Sequence, residues 1–447
     1  MPMPDQPPPA AVLLSIGDEL VLGQTVDTNT AWLAERLAQL GLMCLRHETV
    51  ADDRDLIADA FRRAARDTSE HGDGHGLVIA SGGLGPTADD LTRFALADAL
   101  DVDLTLHDES LAHIESFFAR LGRPMSDGNR AQALCPDGAA MIRNEAGTAP
   151  GIRAVLHDTP IYVTPGVPRE MKWMFDHAVE PALRDAATAA GQTPDTILTT
   201  KVNTFGLGES DAADRLGGLM ARDRNPTVGT TVANGLCSIR VRARFADPRQ
   251  ADRETQATVA QIHERLGPVC FGRDDDTLQA ATVEALKTKG LTLTTAESCT
   301  GGLLGAMLTD VPGSSSVYTG GWVTYANAMK TERLGVPSET IEAHGAVSEP
   351  VAVAMARGAR EKAHADLAVS LTGVAGPDGG TADKPVGTVW IGFASAHGDR
   401  AFLAKLRGTR QTIRDRAAKC ALQLVRFHAL GHDPADIQWI TPAAATV

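Results

Sequence analysis

The sequence predicts two α/β domains joined by a small α+β module, and three observations carry that expectation. Between residues 11 and 175, buried apolar runs alternate with amphipathic helical stretches, the pattern of a parallel sheet with helices on both faces. The same alternation resumes at Leu278 and continues to about residue 430. Between the two, from 176 to 270, polar and apolar residues alternate as half-exposed strands require. The domains are therefore placed at 11–175, 176–270 and 275–430.

Taken in order, the Pro-rich opening MPMPDQPPPA precedes a buried strand AVLLSIG at 11–17. A helix follows at 28–41, with Leu33, Leu37 and Leu40 on one stripe and Gly41 closing it. GLVIASGG at 76–83 is a second strand running into a glycine loop, DDLTRFALADAL at 89–100 a helix, and PIYVTPGVP at 160–168 a third strand. In the middle stretch, TILTTKVNTFG and SIRVRARFA are strands and QADRETQATVAQIHERLG is a helix. The acidic FGRDDDT at 271–277 is expected to be a linker. From Leu278 come a helix, the strand LTLTTAES, a CTGG loop, the helix LLGAMLTD and the strand GGWVTYA. A helix at PVAVAMARGAREKAHA, the strand DLAVSLTG, two further strands and a closing helix at about 410–430 complete the domain. The residues from HDPADIQ onward are expected to form an extended tail.

Composition narrows the function. A chain of 447 residues with a formal charge of −14 has ample core and an acidic surface. No stretch combines Lys and Arg with aromatics as a nucleic-acid groove does, so no nucleic-acid partner is expected. Cys44, Cys135, Cys237, Cys270, Cys299 and Cys420 are scattered, with no CxxC or Cys/His cluster, which gives neither a zinc site nor a disulfide framework. The opening residues lack a signal-peptide pattern and no segment reaches membrane-spanning length, so a cytoplasmic location without membrane association is expected.

The chemistry concentrates between Ala296 and Lys330, which carries AESCTGG, PGSSS and GGWVTYANAMK. A hydroxyl-rich turn followed by Tyr325 and Lys330 has the parts of a Lys-activated serine hydrolase: a nucleophilic hydroxyl, an amine held below its solution pKa by burial, and a phenol to relay the proton. An amide-cleaving enzyme is the leading reading. Ser315, after Pro312 and Gly313, is the expected nucleophile, although three adjacent serines also make an ordinary helix cap. Cys299, beside Ser298, Thr300 and Gly301, is the rival. A second glycine turn, SLTGVAGPDGG at 370–380, and the helix start GTRQTIR with Arg410 and Arg414 suit a phosphate or a developing oxyanion.

AESCTGG, TDVPGSSSVYTGGWVTYANAMK, HGAVSEPV, TGVAGPDGG and KPVGTVWIGFA together resemble the nicotinamide mononucleotide deamidase domain of the CinA family. The resemblance implies hydrolysis of nicotinamide mononucleotide to nicotinate mononucleotide and ammonia, without a cofactor. It places Ser315 as nucleophile with Tyr325 and Lys330, and Thr372 and Arg410 on the substrate or oxyanion. Gly373 and Gly376, with the Cys299, Thr300 and Gly301 turn, complete the implied substrate contacts. GTRQTIR departs from the family's usual GDR, with Thr409 in place of the acid.

SGGLGPTADDLTR at 81–93 joins a strand to a helix through Gly82, Gly83 and Gly85, with Thr87, Asp89 and Asp90 following. Such glycines let N–H groups approach a phosphate, and carboxylates can hold a divalent cation against it; a plain helix cap has the same composition. With IGDELVLGQTVDTNTAWLAERL, NEAGTAPG and TPGVPREM, this loop resembles the molybdopterin-binding-like domain of the same family. That resemblance implies metal-dependent hydrolysis of ADP-ribose to AMP and ribose 5-phosphate, with Asp89, Asp90, Asp18 and Glu19 as metal ligands. Asp18 and Glu19 also read as caps. The family further implies a homodimer. The rival readings are a pterin-binding module and a competence-related interaction protein with only the deamidase active.

Overall fold

The computed structural model describes residues 10–71, 76–189, 195–233 and 235–443. The expected Pro-rich opening, apart from Ala10, and the residues beyond 443 lie outside that set. The chain forms two compact units, Met1–Ile197 with Arg244–Ala251, and Leu198–Ala243 with Asp252–Val447.

In the first unit a six-stranded sheet runs in the order Met43–Val50, Ala10–Ile16, Leu77–Ser81, Thr159–Thr164, Gly151–Leu156, Ala140–Ile142. The first four strands are parallel and the last two antiparallel. Every residue of Ala10–Ile16 is buried, and its side chains divide by the period-2 rule. Val12, Leu14 and Ile16 pack with Ile57 and Phe61 from the helix Arg54–His71. Ala11 and Leu13 pack on the other face with Leu33 and Leu37 from Asn29–Gln39. Each such leucine or phenylalanine contributes about 1.5–3 kcal/mol of burial, enough to fix the register. The two antiparallel strands, Gly151–Leu156 and the edge strand Ala140–Ile142, carry no long apolar run and are not among the expected strands.

The second unit contains a sheet in the order Tyr318–Val323, Leu293–Glu297, Leu367–Gly373, Thr388–Ser395, Gly398–Lys405, Ile440–Pro442. The first three strands are parallel and the rest antiparallel. The helices Leu278–Lys289 and Arg410–Leu430 cover one face, where Leu286, Leu422 and Phe427 meet Val369 and Leu371. Glu349–Ala363 covers the other, where Val351, Met355 and Ala359 meet Ala296 and Ala368.

Three expectations are corrected here. The acidic FGRDDDT is no linker: Cys270–Arg273 is an edge strand of a second, four-stranded sheet, in the order Thr227–Ala233, Leu236–Phe245, Thr196–Phe205, Cys270–Arg273. Asp274 closes the turn by accepting from the Thr200 hydroxyl at 2.9 Å and the Lys201 N–H at 2.9 Å. Nor do the described residues after His432 trail away, since Ile440–Pro442 adds the sixth strand and Trp439 packs edge-on against Phe205 at 4.8 Å. The middle module has no separate core. Val202, Phe205, Ile239 and Ile262 belong to the same apolar cluster as Leu286 and Phe427. Gln423, fully buried in the closing helix, donates to the Phe205 carbonyl at 2.9 Å, and Arg426 donates to those of Pro268 and Cys270 at 2.9 Å each. None of the helices is long and apolar enough to cross a membrane, among the described residues.

Candidate active sites

In open α/β sheets, ligand chemistry collects beyond the carboxyl ends of parallel strands, where successive crossovers leave on opposite faces. The second unit has that arrangement. After Leu293–Glu297 the chain turns through Ser298–Gly302 into the helix Leu303–Thr309, whose Leu304 and Leu308 pack on the face of the closing helix. After Tyr318–Val323 it turns the other way into Asn327–Leu334, whose Leu334 packs on the opposite face. Ser298 and Lys330 face each other at this divergence.

Lys330 is 1% exposed, and its Nζ donates to Ser298 Oγ at 3.1 Å, to the Thr324 carbonyl at 2.9 Å and to the Tyr325 carbonyl at 3.2 Å. These acceptors are neutral. Burial therefore pushes the amine below the usual lysine range, and the nearby Cys299 opposes this only in part. An ammonium has three protons for these three oxygens. A neutral amine keeps two protons for the carbonyls and offers its lone pair to the Ser298 O–H. Both protonation states are satisfied without rearrangement, which is what a general base requires.

Ser315 is not brought to this site. The serines 314–316 form a short 3-10 turn before the strand Tyr318–Val323, whereas Lys330 follows that strand. A six-residue strand spans about 20 Å, so the PGSSS hydroxyls stand at the opposite end of the sheet. There Ser315 is exposed, and Ser316 Oγ donates to the Gly313 carbonyl at 2.9 Å in an ordinary turn contact. Cys299 is corrected as well. Its thiol is buried and pushed up to about 12, chiefly by desolvation, so it is not a thiolate at neutral pH.

Tyr325 contributes its carbonyl, not its phenol, to Lys330. Tyr325 is 61% exposed and its phenol accepts from Arg410 Nη2 at 3.0 Å, while Arg410 Nη1 donates to the Gly376 carbonyl at 2.7 Å. Arg410, at the start of the closing helix, thus ties the loop after one strand to the loop after another. Thr409, the departure from the family's acid, caps that helix by accepting from the Thr412 N–H. Thr372 is buried and donates to the Ala346 carbonyl at 2.7 Å, holding the HGAVSEP loop; Gly373 pairs with Val389 in the sheet. The Thr300 carbonyl accepts from Arg414 Nη2 at 2.6 Å, and the Thr300 and Thr324 hydroxyls are buried without a hydrogen-bond partner among the described residues. Gly302, at φ 92°, and Gly301, at φ 62°, make the turn that presents Ser298.

The first unit has its own cavity of about 380 Å³, also at carboxyl strand ends, lined in part by Gly17, Glu19, Asp52, Gly82, Asp89 and Glu170. Gly83, Gly85 and Asp90 line it too. At Gly82, φ is 117° and a Cβ would stand 2.1 Å from the Ile16 carbonyl oxygen, so only glycine lets the loop lie this close to the neighbouring strand. Beneath the loop Arg93 is 1% exposed; it donates to the carbonyls of Ala131 and Leu84, and burial pulls it down to about 10.

The expected metal ligands do not form one cluster. Asp90 accepts from the Gly85 N–H at 2.7 Å and the Thr87 N–H at 2.8 Å, and the Thr87 hydroxyl also donates to it. Asp90 and Thr87 are therefore spent on shaping the loop. Asp18 accepts from the Asp52 N–H at 3.1 Å and does not line the cavity. Among the described residues no three His, Cys, Asp or Glu side chains stand close enough to share an ion. Asp52, which the sequence reading missed, is pushed up by burial and by the charges of Asp18, Glu19 and Asp89. That donor set fits a cation shared with a substrate's phosphates rather than an all-protein cage. Asp52 stands two residues past the parallel strand Met43–Val50, and Ser298 one residue past Leu293–Glu297; that position is the available signal for both.

Residues 275–428 match the family description "CinA C-terminal domain", 12–185 match "Probable molybdopterin binding domain", and 199–272 match "Damage-inducible protein CinA KH domain". A CinA-like protein of Gemmatimonas aurantiaca is 42% identical over 416 residues, 93% of this chain and 95% of its own. The chain belongs to the CinA family. Another CinA-like protein, from Geobacter metallireducens, is 41% identical over 420 residues, 94% of this chain and 99% of that one. Among solved structures, a competence-damaged protein (CinA) superfamily protein from Escherichia coli is similar over 36% of this CinA-family chain and 98% of its own, at 34% identity and a TM-score of 0.33. The molybdopterin biosynthesis enzyme MoaB of Thermus thermophilus is similar over 41% of this chain and 97% of its own, at 23% identity and a TM-score of 0.28.

Proposed function

We propose that the second unit is an amidohydrolase that converts nicotinamide mononucleotide to nicotinate mononucleotide and ammonia. The observation that carries this reading is the fully buried Lys330 amine 3.1 Å from the Ser298 hydroxyl. Neutral Lys330 takes the Ser298 proton as Oγ attacks the carboxamide carbon. The carbonyls of Thr324 and Tyr325 hold the ammonium that results. Lys330 then gives its proton to the departing nitrogen, ammonia leaves, and an acyl ester remains on Ser298. Water, giving a proton to Lys330, cleaves that ester to the carboxylate and restores the hydroxyl. Arg410, held by Tyr325 and Gly376 at the edge of the same strand ends, is the group suited to the substrate's phosphate. Ammonia release from nicotinamide mononucleotide by the purified chain, with the carboxylate product identified by mass, tests the assignment.

A second activity is supported by the cavity of the first unit, where the Gly82–Gly85 loop meets Glu19, Asp52 and Asp89. We infer hydrolysis of ADP-ribose to AMP and ribose 5-phosphate there. One or two of the cavity carboxylates Glu19, Asp52 and Asp89 would share a divalent cation with the diphosphate, and the cation would neutralise phosphate charge and lower the pKa of a water. The chain's own part is to shape the loop through Asp90 and to place the Arg93 charge beneath it. AMP release from ADP-ribose, with and without added divalent metal, is the corresponding test.

A further inference from the structure

We propose that Glu297 is the positioning residue for Ser298, an inference that rests on the amidase reading of this site. Glu297 ends the strand Leu293–Glu297, is 1% exposed and directly precedes the serine. A carboxylate in so dry a place must be solvated by the protein. Here backbone N–H groups do it: Oε2 accepts from Gly302 at 3.0 Å and Leu304 at 3.1 Å, and Oε1 accepts from Gly305 at 2.8 Å. All three donors lie at the start of the helix that follows the Ser298–Gly301 turn. The side chain therefore reaches forward over the turn and ties its far end to the strand.

The near end of the turn is fixed as firmly. The Thr324 N–H donates to the Glu297 carbonyl at 2.8 Å, and the Ser298 N–H donates to the Leu371 carbonyl at 2.9 Å, so both neighbouring strands grip the chain at this point. Within the turn, the Gly301 N–H donates to the Ser298 carbonyl at 3.1 Å. Gly301 and Gly302 both sit at positive φ, so nothing in their side chains restrains the loop. The Glu297 carboxylate supplies that restraint. Its hydrogen bonds run to the helix turn, whereas those of Lys330 run to Ser298, Thr324 and Tyr325, so Glu297 acts on the reaction through the serine's position.

The test uses the full chain and nicotinamide mononucleotide. In Glu297→Gln one acceptor oxygen becomes an NH2 facing a backbone N–H, and the turn loosens. The expected result is a kcat lower by roughly a hundredfold, as for a misplaced reacting group, with KM little changed and the pH dependence set by Lys330 unmoved. Glu297→Asp keeps the charge and some of the donors and recovers part of the rate. Full activity in Glu297→Gln, or a rise in KM at constant kcat, overturns the proposal. So does a Glu297→Gln chain without a cooperative melt, because the carboxylate would then hold the unit and not the turn. Ser298→Ala is assayed alongside: if it is active, the Ser298 nucleophile on which this inference rests fails, whereas an inactive Ser298→Ala beside a fully active Glu297→Gln removes only the positioning role.

Discussion

Lys330 Nζ lies 3.1 Å from Ser298 Oγ, although the two residues are 32 positions apart, Ser298 in the turn that leads to a helix on one face of the sheet and Lys330 in a helix that packs on the other. Each follows a parallel strand, and the strands Leu293–Glu297 and Tyr318–Val323 are hydrogen-bonded neighbours. The sheet therefore sets the distance, and the crossovers on either face determine which side chains meet.

A buried base defines a pH profile. Burial lowers the Lys330 pKa from the free value of about 10.4, and in the proposed mechanism the neutral amine is the active form. Activity should rise with pH through the lowered value. The same shift has a sign for stability: between the folded and unfolded pKa values the unfolded chain holds a proton that the folded chain does not, so stability increases with pH across that window. Lys330→Met should flatten this slope and lower kcat about a thousandfold. Denaturant titrations and rate profiles over the alkaline range check both.

Tyr325 distinguishes a proton relay from a clamp. Because its phenol meets Arg410 and its carbonyl meets Lys330, Tyr325→Phe should raise KM a few-fold, consistent with losing one exposed hydrogen bond of about 1 kcal/mol, while kcat holds. Steady-state kinetics read this directly; a kcat collapse at constant KM would restore the relay.

The two activities should separate under chelation. The Ser298 chemistry uses an amine base, while the first unit's carboxylates suit a cation shared with phosphates. EDTA should stop AMP release and leave ammonia release unchanged; equal loss of both contradicts the division.

The shared core sets the smallest stable form of the second unit. A chain beginning at Asp275 keeps Ser298, Lys330 and Arg410 but loses Phe205, whose burial is worth about 1.5–3 kcal/mol, and the carbonyls that Gln423 and Arg426 engage. Residues 275–447 should melt at a lower temperature than residues 198–447. Equal melting temperatures would show that the middle segment adds nothing to this core.

These outcomes follow what the chain does and does not write locally. The parallel strands are legible because AVLLSIG and GLVIASGG are apolar at all but a single serine each, a run that a doubly covered strand tolerates. Lys330 is legible as an amine in a segment built to pack. Ser298 is hidden because its partner is reached through sheet pairing, and sequence proximity favours Ser315, which a whole strand separates from Lys330. Asp90 misleads for a related reason: a carboxylate that accepts two backbone N–H groups has the same local sequence as one that holds a cation. The middle module looks independent because its alternation differs from its neighbours', yet the contacts of Phe205 with Gln423 and Trp439 are invisible to any local pattern.

The central claim is that Ser298, and not Ser315, is the hydroxyl that Lys330 activates. Ammonia release from nicotinamide mononucleotide by Ser298→Ala and Ser315→Ala, each in the full chain, tests it most directly. The account requires Ser298→Ala to be inactive with its melting temperature preserved, and Ser315→Ala to turn over at close to the native rate. Robust ammonia release from Ser298→Ala, with Ser315→Ala silent, would contradict it.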